Sequence, residues 1–119
     1  MNMSENDGSC TILVLCRDLL FASKISAAAK GANVPVKMLR DASKLNDEMD
    51  SRQLIVDLTQ EGFIEAAAQW KQRMGGRVTG FAGHADVETI NRAQAAGIDQ
   101  ILARGEFAGR VQQILKGEM

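Results

Sequence analysis

Residues 54–58 read Leu-Ile-Val-Asp-Leu, and the architecture of the whole chain can be worked out from them. Three aliphatic residues in a row, two of them β-branched, suit a strand buried on both faces, with the carboxylate of Asp57 where the chain leaves the sheet. Downstream, a polar turn through Gly62 opens a long helix with Phe63, Ala67, Trp70 and Met74 on one face, ended by Gly75-Gly76. A weaker strand over 78–81 follows, then a helix capped by Asp86 that carries Ile90 and Ala93 and stops at Gly97. A strand over 98–103 leads into a last helix with Phe107, Val111, Ile114 and Leu115 on one stripe. Upstream, residues 11–15 are almost wholly aliphatic, and Asp18 caps a helix bearing Phe21, Ile25, Ala28 and Ala29 that Gly31 ends. A strand over 34–39, with Pro35 near its start as at a sheet edge, and a short helix over 42–49 complete the series.

Five strands alternating with five helices call for an α/β fold, a parallel sheet covered on both faces. Residues 1–9 are polar and without period and read as a tail, leaving 10–119 as one domain. The 119 residues carry 14 Lys+Arg against 15 Asp+Glu, a net charge of −1, which gives no electrostatic case for nucleic acid or an anionic membrane. Hydrophobic residues at 45% and charged residues at 24% exclude a disordered chain, and the apolar runs are too short to cross a bilayer. No secretory signal is visible. Cys10 and Cys16 lie roughly 20 Å apart along one strand, too far for a disulfide. Two reduced thiols and a cytoplasmic setting are expected.

In open parallel sheets the functional crevice lies beyond the carboxyl ends of the strands. The residues placed there are Cys16-Arg17-Asp18, Asp57, Ala82-Gly83-His84 and Arg104. Cys16, Asp57 and His84 have no metal-ligand spacing, and a solvated loop histidine is the plainer account of His84. One histidine without a nearby nucleophile motif builds no catalytic triad, so no enzyme is expected.

At this point the sequence resembles the receiver domain of two-component response regulators, over nearly all of 11–116. The marks are LIVDL ending in Asp57, FAGHAD after the fourth strand, and AAGIDQILARGEF, which is similar to the family's Ala-Gly-x-Asp-Asp-Tyr-Leu-x-Lys-Pro-Phe segment. The resemblance implies a flavodoxin-like sheet of order 2-1-3-4-5 with helices on both faces and Asp57 in the place of the phosphoacceptor. It also implies a magnesium ion held by two acids after the first strand, where this chain has Cys16 and Arg17, leaving only Asp18 in a third, less demanding position. Ala82 stands for the family's Ser/Thr, Arg104 for its Lys, Gly105 for the Pro that follows, and Ile101 for its aromatic switch residue.

Those departures have physical consequences. Aspartyl phosphorylation uses a metal ion to neutralise charge, and magnesium asks for hard oxygen ligands that a thiol and a guanidinium do not supply. The expectation is a degenerate receiver, with no cofactor. Arg17 would lie against Asp57 as a fixed counter-ion, with Arg104 as a second candidate partner. For Asp57 three readings stand open: a phosphoacceptor, a paired structural carboxylate, or a turn-forming residue. Arg17, Asp57 and Arg104 together also make a candidate anion or ion-pair site.

The function expected is a stand-alone pseudo-receiver acting as a protein-interaction module in bacterial-type signalling, without magnesium-dependent phosphorylation. Its partner would be a kinase or another signalling protein, with a homodimer through 86–116 as the surface the resemblance suggests. The alternatives are a working single-domain phosphoacceptor at Asp57 and a small-ligand or anion binder on a flavodoxin-like scaffold.

Overall fold

The computed structural model describes residues 11–47 and 51–117. Five parallel strands, β1 (Ile12–Leu15), β2 (Val36–Leu39), β3 (Gln53–Asp57), β4 (Arg77–Ala82) and β5 (Gln100–Ala103), form one sheet in the order β2-β1-β3-β4-β5. This is the expected 2-1-3-4-5 topology, with β2 at one edge, where Pro35 costs no ladder bond. The connections are α1 (Leu19–Ala32), a 3-10 turn (Ala42–Asp47), α2 (Phe63–Met74) and α3 (Val87–Ala95), and α4 (Arg104–Leu115) follows β5.

The strands are buried on both sides, as their unbroken apolar runs require. Side chains alternate along each strand and so sort the core into two layers. Val14, Ile55, Phe81 and Leu102 meet Phe21, Ile25, Phe107 and Ile114 of α1 and α4. Leu13, Leu15, Leu54, Val56 and Val78 meet Phe63, Ala67, Trp70 and Ala93 of α2 and α3.

Several boundaries differ from the sequence reading, each for a local reason. The second strand starts at Val36 rather than 34, because Asn33 takes a left-handed conformation (φ 62°) and the Val34 N–H bonds back to the Ala29 carbonyl, closing α1. The fifth strand starts at Gln100 rather than 98: Gly97 (φ 87°) ends α3, and the Ile98 N–H returns to the Ala93 carbonyl. The third connection is a 3-10 turn over Ala42–Asp47 rather than an α-helix over 42–49, so four α-helices and that turn stand for the five helices expected. Residues 48 and 49 of that segment, Cys10 and the 1–9 tail lie outside the described residues. Helix α4 begins at Arg104, directly after β5.

Candidate functional site

The alternation that sorts the core also sorts the carboxyl edge. Cys16 and Asp57 continue the parity of Val14 and Ile55, and the Leu15–Val56 pairing of β1 with β3 sets them level with each other. Phe81 pairs with Asp57 in register, and Arg104 continues the parity of Leu102. These four residues therefore gather on the α1/α4 side. Arg17 continues the parity of Leu15, and Ala82 and Ile101 pack with the α2/α3 layer.

Asp57 is 1% exposed. Its Oδ1 accepts the Thr59 N–H at 3.0 Å and the Thr59 hydroxyl at 2.6 Å, an Asx-type turn that lets the chain leave the strand. Arg104 Nη2 stands 3.7 Å from the same oxygen, an ion-pair distance rather than a hydrogen bond. Asp57 Oδ2 is buried and has no hydrogen-bond partner among the described residues. The other guanidinium nitrogen, Nη1, donates to Asp18 Oδ2 at 3.3 Å. Asp18 in turn caps α1, its Oδ1 accepting the N–H groups of Leu20 (3.0 Å) and Phe21 (3.2 Å).

The guanidinium is also stacked on aromatic carbon. Arg104 Cζ lies 5.3 Å from the Phe21 ring centroid and 5.4 Å from that of Phe81, within cation–π range. Phe81 packs at 4.6 Å on Phe21 and 4.9 Å on Phe107, centroid to centroid. One arginine is thus held by two carboxylates and two rings contributed by the cap and first turn of α1, by β3 and by β4.

Arg17 does not reach Asp57. It is half exposed, and its Nη1 lies 3.8 Å from Asp41 Oδ1 at the surface. The ion pair assigned to Arg17 is made instead by Arg104, and the two arginines do not converge on one anion site. The physical reason is parity: β1 adjoins β3, but Arg17 leaves its strand toward the face opposite Asp57.

Cys16 is buried, and its thiol donates weakly to the Asp18 carbonyl at 3.6 Å. Burial pushes that thiol above its ordinary range, and the carboxylates of Asp57 and Asp18 push in the same direction. Cys16 is therefore a neutral thiol at neutral pH, a poor ligand for a hard cation. His84 is exposed in the turn after β4. Ala82, in register with Ala103, is buried and carries no hydroxyl. Among the described residues no group of three or more His, Cys, Asp or Glu is arranged to hold a metal. Around Asp57 the groups are one further carboxylate, the Thr59 hydroxyl, a neutral thiol and a guanidinium, a set that does not fit the octahedral oxygen shell of magnesium.

Thr59, Phe21 and Phe81 are site residues that the sequence reading missed. A hydroxyl two residues after a strand-ending aspartate is a recognisable turn signal, whereas the aromatic stack needed the strand register.

The overall geometry has clear counterparts among solved structures. The receiver domain of NtrX from Brucella abortus superposes with a TM-score of 0.74 at 17% identity, over 90% of this chain and 96% of that one. The CheY-like response regulator receiver domain protein from Methanospirillum hungatei JF-1 gives 0.71 at 15%, over 92% and 97%. The response regulator DrrB, an OmpR/PhoB homologue from Thermotoga maritima, gives 0.72 at 21%, over 93% of this chain and 54% of the longer protein. The chain has the receiver fold. Neither a protein-family model nor a curated protein sequence matches it, so the likeness is one of backbone fold. No helix among the described residues is long and apolar enough to cross a membrane.

Proposed function

We propose that this receiver-fold chain is a cytoplasmic, non-enzymatic protein-interaction module of two-component-type signal transduction, a pseudo-receiver whose phosphoacceptor-equivalent Asp57 is held by a resident cation. The observation that carries this reading is Arg104 bridging Asp57 and Asp18. A guanidinium is charged at every physiological pH, so the carboxylate at the strand end has its counter-ion without magnesium. Cys16 and Arg17 in place of two acids, and Ala82 in place of a hydroxyl, support the same reading, since they leave few oxygen donors around an incoming phosphoryl group. The partner is a protein, a kinase or other signalling component, and the 86–116 segment, with Val87 61% exposed at its start, is the proposed surface for it or for a second copy.

A working phosphoacceptor is the second reading, favoured by the unpartnered Oδ2 of Asp57, which keeps a lone pair free for transfer. Incubation with a small acyl phosphate and magnesium, followed by intact-mass measurement, decides between the two. The pseudo-receiver reading expects no phosphoryl adduct. A mass gain that vanishes in Asp57→Asn overturns it.

A further inference from the structure

Helix α4 carries two glycines that its own packing does not require. Gly109 stands in the middle of the helix and Gly105 one turn before it, and neither has the positive φ that favours glycine. A Cβ built on either meets nothing within 4 Å among the described residues. Glycine is nonetheless the poorest helix former after proline, so alanine at both positions would serve an isolated chain better. What a bare helix backbone does provide is room for a second helix to come close. With Ala108 and Gln112, the two glycines form an exposed, uncharged face of α4, turned away from the buried Phe107, Ile114 and Leu115.

Along one flank of that face run Glu106 and Arg110, paired at 3.4 Å one helical turn apart and each less than half exposed. An acid followed by a base one turn later is complementary to itself read backwards. A second α4 laid antiparallel, with Ala108 of both copies at the two-fold axis, sets Glu106 of each copy level with Arg110 of the other. The same register lays Gly109 beside Gly109 at the axis and Gly105 beside Gln112, so the bare backbone stands where the helices come nearest.

We propose that this face is a dimer interface, on which two copies of the chain pair through antiparallel α4 helices, with the glycines at the contact and Glu106–Arg110 pairs between chains fixing the register. The proposal rests on the reading of 86–116 as the interaction surface and commits that surface to a second copy. A different protein would have to supply both the reversed charge order and a face of small residues, whereas a second copy supplies both by symmetry. The pairs within and between chains then form one four-charge network, which holds better than an isolated surface pair. A net charge of −1 leaves little repulsion between the copies.

Sedimentation equilibrium of the full chain tests this, and a concentration-dependent dimer is expected. Glu106→Arg and Arg110→Glu, each alone, place like charges opposite one another at both ends of the contact and weaken the dimer at least about tenfold. Mixing the two variants restores pairing as a heterodimer, since one then carries two bases at these positions and the other two acids. Gly109→Leu also loses the dimer, while a cooperative melt shows the chain still folded, because its side chain has open space in the monomer. A monomer at every concentration overturns the proposal and leaves the face to a different protein. A dimer that any of the three variants leaves intact overturns it, as does a loss in the charge variants that mixing does not reverse. A phosphoryl adduct on Asp57 would defeat the pseudo-receiver reading without touching the dimer, and a monomer would leave that reading standing, so the two failures are distinguishable.

Discussion

Arg104 crosses β4 to stand 3.7 Å from Asp57 Oδ1, although β5 and β3 are not neighbours in the sheet. The reach is possible because the path lies over Phe81, whose ring supports the guanidinium from below. Arginine suits the position better than lysine would: its planar head can stack on aromatic faces while two of its nitrogens serve separate carboxylates. The contact with Asp57 is long, and the arginine side chain remains 34% exposed. Its worth therefore lies between that of a surface pair and that of a buried one.

Removing the two strand-end arginines has unequal effects. Arg104→Met leaves an almost fully buried carboxylate without its counter-ion, and the cost is about 1–3 kcal/mol of unfolding free energy, with part recovered in Arg104→Met/Asp57→Asn. Arg17→Ala gives up only a 3.8 Å surface pair and changes stability by less than about 0.5 kcal/mol. Urea titrations of the three variants check this. Equal losses for the two arginines would contradict the assignment.

The pattern of apolar runs made the parallel sheet legible, because a doubly covered parallel strand has a distinctive composition, whereas its strand order was implied by the resemblance to receiver domains. The partner of Asp57 was harder to read. Sequence proximity and strand adjacency both favour Arg17, which follows β1, the neighbour of β3. Counting by twos from Leu15 and from Leu102 puts Arg17 on the wrong face and Arg104 on the right one, so the answer was encoded in the sequence once the register was known. The boundaries at Val34 and Ile98 were not encoded in the same way. Both residues are apolar and β-branched, yet local bonds from their N–H groups close the preceding helices.

Two glycines are held by what lies over them rather than by their torsions. A Cβ on Gly80 would fall 2.6–2.7 Å from the side-chain carbons of buried Leu58, and one on Gly76 would fall 2.7 Å from the Arg52 carbonyl oxygen. Leu58 can shift, whereas the Arg52 backbone is fixed by the Arg77 N–H bond at 2.9 Å. Gly80→Ala is expected to cost about 1–3 kcal/mol and Gly76→Ala more than Gly80→Ala, as chemical denaturation will measure.

Burial also governs Cys16. With its thiol pushed up by desolvation and by the Asp57 and Asp18 carboxylates, it is neutral and enclosed at neutral pH. In a Cys10→Ser background, where Cys16 is the remaining cysteine, iodoacetamide should alkylate the native protein far more slowly than the urea-unfolded chain. Similar rates in the two states would show that the thiol is open or ionised.

At the opposite edge of the sheet, Asp99 makes the fold sensitive to acid. Burial alone would raise its carboxyl, but Lys71 Nζ at 2.9 Å from both oxygens and the Val78 N–H at 2.8 Å hold it below the usual aspartate value. A carboxyl with a lower value folded than unfolded contributes stability above its unfolded value, and that contribution disappears as pH falls through the folded one. The loss from this group is therefore expected below about pH 4. Asp99→Asn removes the ionised partner of Lys71, lowers the melting midpoint at neutral pH, and flattens its fall between about pH 4 and pH 2. Lys71→Met gives the same neutral-pH loss with a remaining acid dependence, since Val78 still donates to Asp99. Thermal melts across that range check both, and an acid limb of unchanged steepness in Asp99→Asn would remove Asp99 from the account.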